Sequence, residues 1–454
     1  MQQAAVVGGG VPFNAAAWGT VLGEYDFSLV ANIAASAGLV SSVTAKSGST
    51  APLTAVAGDQ PVTGTRTAPG GQNVLDFGPA NGSKRLSLAG VTQAQPVTVA
   101  VVYQADVQAS NMQLFGDDPG TYVGTLAFSE AGWNQYASGG SSTSLPIDTG
   151  WHAAVYVFNG ASSVCWEDGT FYGATNPGTS GITRLVCGNY GTSGSGYGFD
   201  GGIAHIIWYV GAVADPGGLS LALRSAWNMP ICPAQLAGVV GRFDSSYIGS
   251  LVGSGGKLSQ WTSLVGTKHL LQANGSFQYT YTSAFRNGKL VLNVPSGTAW
   301  MEATGLVYSG TTFTIIYIGT WAASGPWGRG ITVWGTAPSY LEWILVSGGP
   351  DFYWRIHQAE YSGVTVDPST WGMYVVRRNG TSFDVWKDGV KTTATCGAGT
   401  DTYPNFTLGT DDVRTSPTAG ATQHGELILS NQAIPDADIA ALRTSYVIPK
   451  WATP

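Results

Sequence analysis

The sequence predicts an all-β chain made of two antiparallel β-sandwiches in tandem. Three observations carry this. First, the chain repeats itself. Trp151, Val155, Asn159-Gly160 and Trp166-x-Asp168-Gly169 recur as Trp371, Val375, Asn379-Gly380 and Trp386-x-Asp388-Gly389, at one offset of 220 residues. Second, 64 Gly, 16 Trp and 20 Tyr stand among only 10% charged residues, where an average domain has about 25%. Val, Ile, Thr and aromatic residues between Gly-rich turns favour strands. Third, Asn-Gly and Asp-Gly, strong short hairpin signals, close the same two turns in each copy.

The period fixes the domain count. A length of 454 residues would suggest three domains at roughly 150 each. The repeat gives two, and its period is far longer than the roughly 20–50 residues of a solenoid. Residues 1–20 are a Gly/Ala-rich lead-in, and 21–228 form the first sandwich. Residues 229–238, broken by Pro230 and Pro233, form a linker, and 239–450 form the second sandwich. Gly23-x-x-Asp26-x-Ser28 answers Gly241-x-x-Asp244-x-Ser246, and Leu223-Arg224 answers Leu442-Arg443.

Within each copy the strands come in one order. Asn73–Phe77 is short. Pro96–Tyr103 is apolar enough to be covered on both faces. His152–Phe158 leads through Asn159-Gly160 into Ser163–Glu167, which ends at Asp168-Gly169. The second copy repeats this as Leu290–Leu292, Phe313–Ile318, Gly372–Val376 and Phe383–Trp386. Alternation puts Phe383, Val385 and Lys387 on one face and Asp384, Trp386 and Asp388 on the other. Trp166 and Trp386 are therefore expected in the sandwich core or on a concave face. Last strands at Ile203–Tyr209 and Gly425–Leu429 precede short helices, Leu219–Trp227 and Asp436–Tyr446. Pro435 and Asp436 suit a helix start, and Ile439, Leu442 and Tyr446 share one stripe.

This order resembles the laminin-G-like, concanavalin-A-like jelly-roll family. The resemblance rests on Asn73–Phe77 and its counterpart, the Trp-x-Asp-Gly hairpins, the Gly-rich loops before Ile203 and Gly425, and the C-terminal helices. It covers nearly the whole chain, twice. It implies two antiparallel sheets per domain, one of them concave. Members include lectins, glycan-binding modules, some glycanases and many structural proteins of tailed bacteriophages, so the fold alone gives no function. Calcium at loop rims, which members often bind, would make Asp168 and Asp388 ligands. The local reading, a turn aspartate bonding its own backbone, is preferred.

Chemistry-bearing residues are sparse. A glycanase needs two convergent carboxylates, yet no Glu-x-Asp-x-Glu run exists. Glu130, Glu302, Glu342 and Glu360 stand alone, Glu167 becomes Lys387, and Glu426 faces His205. No Gly-x-Ser-x-Gly elbow is present. The histidines His152, His205, His269, His357 and His424 lack metal-ligand spacing, and no CxxC suggests zinc. Cys165, Cys187, Cys232 and Cys396 do not match between copies and are read as small buried hydrophobes. A Cys165–Cys187 bridge stays open, because their segments could be neighbouring strands. Asn-x-Ser/Thr triplets at Asn81, Asn274, Asn379 and Asn405 are read as turns. Trp133, Tyr136, Tyr190, Tyr197, Trp321 and Trp327 lie in Gly-rich stretches and are the candidate ligand-binding or interface aromatics.

The formal net charge is −7, with no basic stripe for nucleic acid and no apolar run of membrane-spanning length, and the first residues, lacking a basic start and an apolar core, are not expected to act as a secretory signal. The Gly-rich start is expected to be held by packing inside a larger assembly. The expected function is a non-enzymatic virion structural protein of a tailed bacteriophage, a capsid decoration protein or tail-associated appendage, located in the virion. Its partners would be other virion subunits and copies of itself. A glycan-binding adhesin is the alternative, and a glycan hydrolase or lyase a weaker one. No cofactor or metal is expected.

Overall fold

A computed structural model describes residues 13–49, 51–78, 82–107, 112–117, 123–127, 133–137, 149–189, 197–229, 231–247, 250–265, 267–280, 282–294, 299–309, 311–323, 327–334, 340–346, 351–356, 359–365, 370–395, 402–409 and 419–454. The chain divides into two compact units, Met1–Pro230 and Ile231–Pro454. Both are all-β with antiparallel strand pairing, and short helices cover one sheet face.

The two units share one strand order. In the first, hydrogen-bonded neighbours run Thr170–Thr175, Ser163–Glu167, Trp151–Phe158, Val97–Ala105, Gly201–Val210. In the second they run Val390–Thr395, Ser382–Lys387, Gly372–Asn379, Thr312–Ala323, Ala419–Ser430. Beyond the last of these, each unit adds its first strand, Thr20–Asp26 or Val239–Asp244, and a short one, Asn73–Asp76 or Lys289–Val294. In the first unit this sheet runs on through Val62–Thr67 into the opposite layer. In the second the layers are separate sheets of eight and ten strands.

Alternation divides the core in two. In the second unit Phe313, Ile315 and Tyr317 join Phe243, Trp261 and Leu427 between the sheets. Ile316, Ile318, Met373 and Val375 face the other way, under helices α2 (Asp436–Leu442) and α3 (Ile448–Trp451), with Ile439, Leu442 and Trp451. In the first unit Ala100, Val102, Ala153, Val155 and Ile207 lie under helix α1 (Pro216–Ala226) with Leu219, Leu223 and Trp227. Trp166 and Trp386 belong to these helix-covered cores. They are not in the sandwich interior, because the face opposite Phe383 and Val385 is the one the helix roofs.

The shared residues of the repeat have local reasons. Asp168 and Gly169 both have positive φ (52° and 73°), as do Asp388 and Gly389 (48° and 90°). That is the backbone of a type I′ hairpin turn. The aspartates fix it: Asp168 Oδ1 accepts from Ala153 N at 3.0 Å, and Asp388 Oδ1 from Met373 N at 2.8 Å. Gly23 and Gly241 sit at matching irregularities of the first strand. A Cβ on either would stand 3.0 or 3.1 Å from the ring of Tyr25 or Phe243, which folds back across it. Thr98 and Thr314, which the sequence reading passed over, are a further matched pair. Each hydroxyl donates to a carbonyl past the last strand (Gly211, 2.9 Å; Gln432, 2.8 Å). Each accepts from a backbone N–H there (Val213, 3.1 Å; Ile434, 2.9 Å).

Two expectations change, and a third, on the Gly-rich start, is not tested by the described residues. Cys165 and Cys187 are free, buried thiols. Their strands are not neighbours, since Ile182–Cys187 pairs with Leu86–Gln93 and Phe115–Gly116. Burial pushes both thiols well above the ordinary range, so they are inert. The lead-in packs on its own unit from Phe13 onward, with Ala15 and Trp18 against the α1 core; residues 1–12 lie outside the described residues. The second helix is broken: a π-type turn, Arg443–Val447, separates α2 from α3.

Candidate functional site

The candidate aromatics do not form one site. Trp133 and Tyr136 belong to a strand, Trp133–Ala137, paired with Val123–Ala127, rather than to a Gly-rich loop. Trp321 is near the end of Thr312–Ala323 and Trp327 opens Trp327–Trp334, a strand of the other sheet. The side chains of these four residues, and the whole of Tyr190, lie outside the described residues. Tyr197 is half-buried, and its carbonyl accepts from Gln113 N at 2.8 Å.

What the structure does bring together, among the described residues, is buried charge, and three of these clusters bear on the question of a site. The first two occupy corresponding places, on the helix-covered face where the first strand meets the last. In the second unit Glu426 is fully buried. It accepts from Arg242 Nε (2.8 Å), Tyr446 Oη (2.9 Å), Trp451 Nε1 (3.1 Å) and Lys450 Nζ (3.2 Å). Asp244, its cross-strand neighbour, is held by Arg242 at 3.3 Å and by Lys450. Burial works to raise the Asp244 carboxyl, and the two cations outweigh it, holding it below its ordinary value. Two acids thus balance two bases in a site closed by α3.

In the first unit the same positions carry other charges. Glu24 stands where the second unit has Arg242, and His205 where it has Glu426. His205 Nε2 lies 3.2 Å from Glu24 Oε1, and Trp227 Nε1 donates to His205 Nδ1 at 3.3 Å. The accepting Nδ1 places the ring proton on Nε2, toward the carboxylate. Lys46 supplies the cation, 2.9 Å from Glu24 and 3.4 Å from Asp26. Burial raises the Glu24 carboxyl, but His205, Ser47 and Lys46 outweigh it and bring it down to about 2. Asp26 and Asp244 share a second duty: each Oδ1 accepts from the N–H and hydroxyl of Ser28 or Ser246. This is the reason for the shared Asp-x-Ser.

The third cluster belongs to the first unit alone. Tyr103 donates to Glu167 at 2.6 Å, and His152 Nδ1 sits 2.9 Å from Asp168 and 3.8 Å from Glu167. Arg224 from α1 reaches Asp168 at 2.5 Å. Burial, then the Glu167 charge, pushes the Tyr103 phenol well up. Burial opposes ionisation of Asp168, and Arg224 and His152 outweigh it, holding it at about 2. Spacing along the chain does not link His152 with Glu167. The signal was register: Tyr103 is the cross-strand partner of His152 and Ala154 that of Glu167, which sets all three side chains together. Tyr103 is 1% exposed and Glu167 3%, so no solute reaches the pair. The second unit has Gly319, Gly372 and Lys387 in these places.

Among the described residues no group of three metal-ligating side chains converges. Asp168 and Asp388 each give one carboxylate oxygen to a backbone N–H of the neighbouring strand, Ala153 or Met373, rather than to their own turn as expected. Among the described residues no helix is long and apolar enough to cross a membrane.

No protein-family model matches the chain, and no curated protein matches it in sequence. Solved structures similar to it include mouse laminin α1 domains LG4–5, at 11% identity over 79% of this chain and 90% of that one, TM-score 0.26. Domain 4 of an extracellular arabinanase from Geobacillus stearothermophilus, in complex with arabinotriose, matches 46% of this chain and 100% of its own, at 14% identity and TM-score 0.31. A Trypanosoma rangeli sialidase matches at 12% identity and TM-score 0.36 over 86% of this chain; the match spans 62% of the sialidase. The all-β sandwich class is established by the sheets themselves.

Proposed function

We propose that this chain is a non-enzymatic structural protein, two rigid β-sandwiches that act through protein–protein contacts, of the kind that decorates or joins subunits in a tailed-phage virion. One observation supports this most. At corresponding places the two units keep a buried, charge-compensated lock between first strand, last strand and C-terminal helix, while the identity of the charges is free to change. A catalytic acid has a chemical identity that cannot be exchanged for a base; a fastening needs only compensation. The acids best placed for chemistry, Glu167, Asp244 and Glu426, are 0–3% exposed and engaged by Tyr, Arg and Lys.

The test combines three measurements on the full chain. Sedimentation over a concentration series is expected to show self-association. A panel of glycan substrates is expected to show no turnover. Proteomics of phage particles whose genome encodes the chain is expected to find it in stoichiometric amounts. Turnover abolished by Glu167→Gln would overturn the non-enzymatic reading. A strictly monomeric protein that binds glycans through Trp133, Trp321 or Trp327 would make it an adhesin instead.

A further inference from the structure

In the second unit one ion pair of the buried lock is arranged as a pair of reactants. Asp244 is 1% exposed, Glu426 is fully buried, and the Lys450 side chain is 10% exposed. Lys450 Nζ is in contact with Asp244 Oδ2 and 3.2 Å from Glu426 Oε2. The two oxygens of Asp244 have different surroundings. Oδ1 accepts from Ser246 N at 3.0 Å and from Ser246 Oγ at 2.6 Å, two donors fixed where an oxyanion would need them. Oδ2 faces the cations, Lys450 and Arg242. The helix side closes over Nζ: it donates to Tyr446 Oη at 2.8 Å, and the Trp451 ring centre lies 5.0 Å away. An amine, a polarised carboxyl carbon and a carboxylate able to carry a proton thus meet where water is excluded. Desolvation of this kind is what makes a lysine a nucleophile.

We propose that Lys450 and Asp244 condense into an isopeptide bond, with Glu426 as the proton carrier, which ties helix α3 to the first strand of the second unit. The step needs no co-reactant. Lys450 gives one proton to Oδ2, and the Nζ lone pair attacks Cγ while the Ser246 donors hold the charge that forms on Oδ1. Glu426 Oε2 takes a second proton from Nζ and passes it to Oδ2. The Cγ–Oδ2 bond breaks, water leaves, and an amide with one N–H remains. An ammonium and a carboxylate have become an amide and water, and Glu426 ends as it began. Two buried charges that are costly to desolvate disappear. Arg242 and Glu426 remain paired at 2.8 Å, so the closed site stays compensated. The ion pair described above is the state before this step.

The first unit lacks the arrangement. Asp26 has the same two donors in Ser28, but the Lys46 side chain is 31% exposed, 2.9 Å from Glu24 and 3.4 Å from Asp26. Burial opposes the Lys46 charge, and Glu24 outweighs it, raising the ammonium above its ordinary value. His205 stands where Glu426 would carry the proton. One bond per chain is expected.

The bond goes beyond the structural-protein reading and is read by mass. The full chain, denatured and digested with trypsin, is expected to yield Phe243–Lys257 joined to the peptide that runs from Thr444 through an uncut Lys450, lighter than the two together by one water. On a denaturing gel the wild-type chain, closed between residues 206 apart, is expected to run ahead of Lys450→Arg, which keeps the cation and cannot form the bond. Glu426→Gln is expected to leave the chain open. Lys450 recovered unlinked from the folded wild-type protein, its amine fully acetylated after denaturation, would overturn the proposal whether or not the variants fold. A link at Lys46 in place of Lys450 would do the same, and a link still formed in Glu426→Gln would remove Glu426 as the carrier. None of these outcomes touches the sedimentation result, so failure here and failure of the structural reading are separable.

Discussion

Two substitutions convert the buried lock of the second unit into that of the first. They are Arg242→Glu and Glu426→His, which install the pair seen at Glu24 and His205. Glu426→His alone removes the acceptor of four donors and leaves Arg242 and Lys450 with Asp244 as their nearest compensating acid. Breaking a buried ion pair from one side costs about 3–5 kcal/mol. Arg242→Glu alone sets a third acid beside Asp244 and Glu426 with Lys450 as the nearest cation, a cost of the same order. In the double variant the new acid and imidazole face each other. Lys450 then does for Asp244 what Lys46 does for Asp26, and Trp451 offers its N–H to the ring as Trp227 does. The double variant is therefore expected to cost at least about 2 kcal/mol less than the sum of the singles, the coupling of residues in one network. Hydrogen exchange on the full chain measures this in place, on peptides from Val239–Asp244 and Ala419–Ser430. Peptides from the first unit serve as the internal control. Strict additivity, or a silent Glu426→His, would refute the idea of a transferable lock.

Acid is expected to open the second unit first. Burial depresses the His424 imidazole to about 3, below its ordinary 6.5, so its stabilisation is complete above pH 6.5 and is lost as pH falls from there toward 3, at about 1.4 kcal/mol per pH unit. Glu24 and Asp168, held at about 2, keep theirs until pH falls below their ordinary values near 4. Exchange rates at pH 5 should rise in the second unit only, and His424→Phe, which keeps the stack on Tyr279, should abolish that rise. Thr98→Val and Thr314→Val each strand a buried backbone N–H at the last-strand turn and should cost about 1–3 kcal/mol in urea unfolding, by like amounts; a neutral result in either removes the clamp from the account. Millimolar calcium should move Tm by less than about 1 °C, the response of a protein without a filled site; a larger rise would revive Asp168 and Asp388 as ligands.

The repeat made the fold legible because its residues act locally. Asp-Gly needs positive φ at both positions, and Gly23 or Gly241 needs room for a ring two residues on; such demands show in a single stretch of chain. The locks were not legible for the opposite reason. Glu24 meets His205, and Arg242 meets Glu426, across 181 and 184 residues, and only the register of first strand against last strand pairs them. Period-2 alternation correctly split Phe383 and Val385 from Trp386, but it could not say which face is the interior. That depended on the helix roof, which turns the outer face of the sheet into a second core.

The mismatch of acids between the copies now has a physical cause. Read along the chain, Glu24 against Arg242 and His205 against Glu426 are unrelated substitutions. In space they occur together: an arginine–glutamate contact in one unit is a glutamate–histidine contact in the other. A single reversal in a site this buried would leave like charges without solvent, at the cost of a broken pair. Both together are tolerated because Lys46 and Lys450, arriving from unrelated parts of the sequence, supply the balancing cation in each case. What the fold requires at this junction is a compensated polar contact with a tryptophan N–H closing it. A pair of units that satisfies that requirement with different side chains is built for holding its C-terminal helix in place.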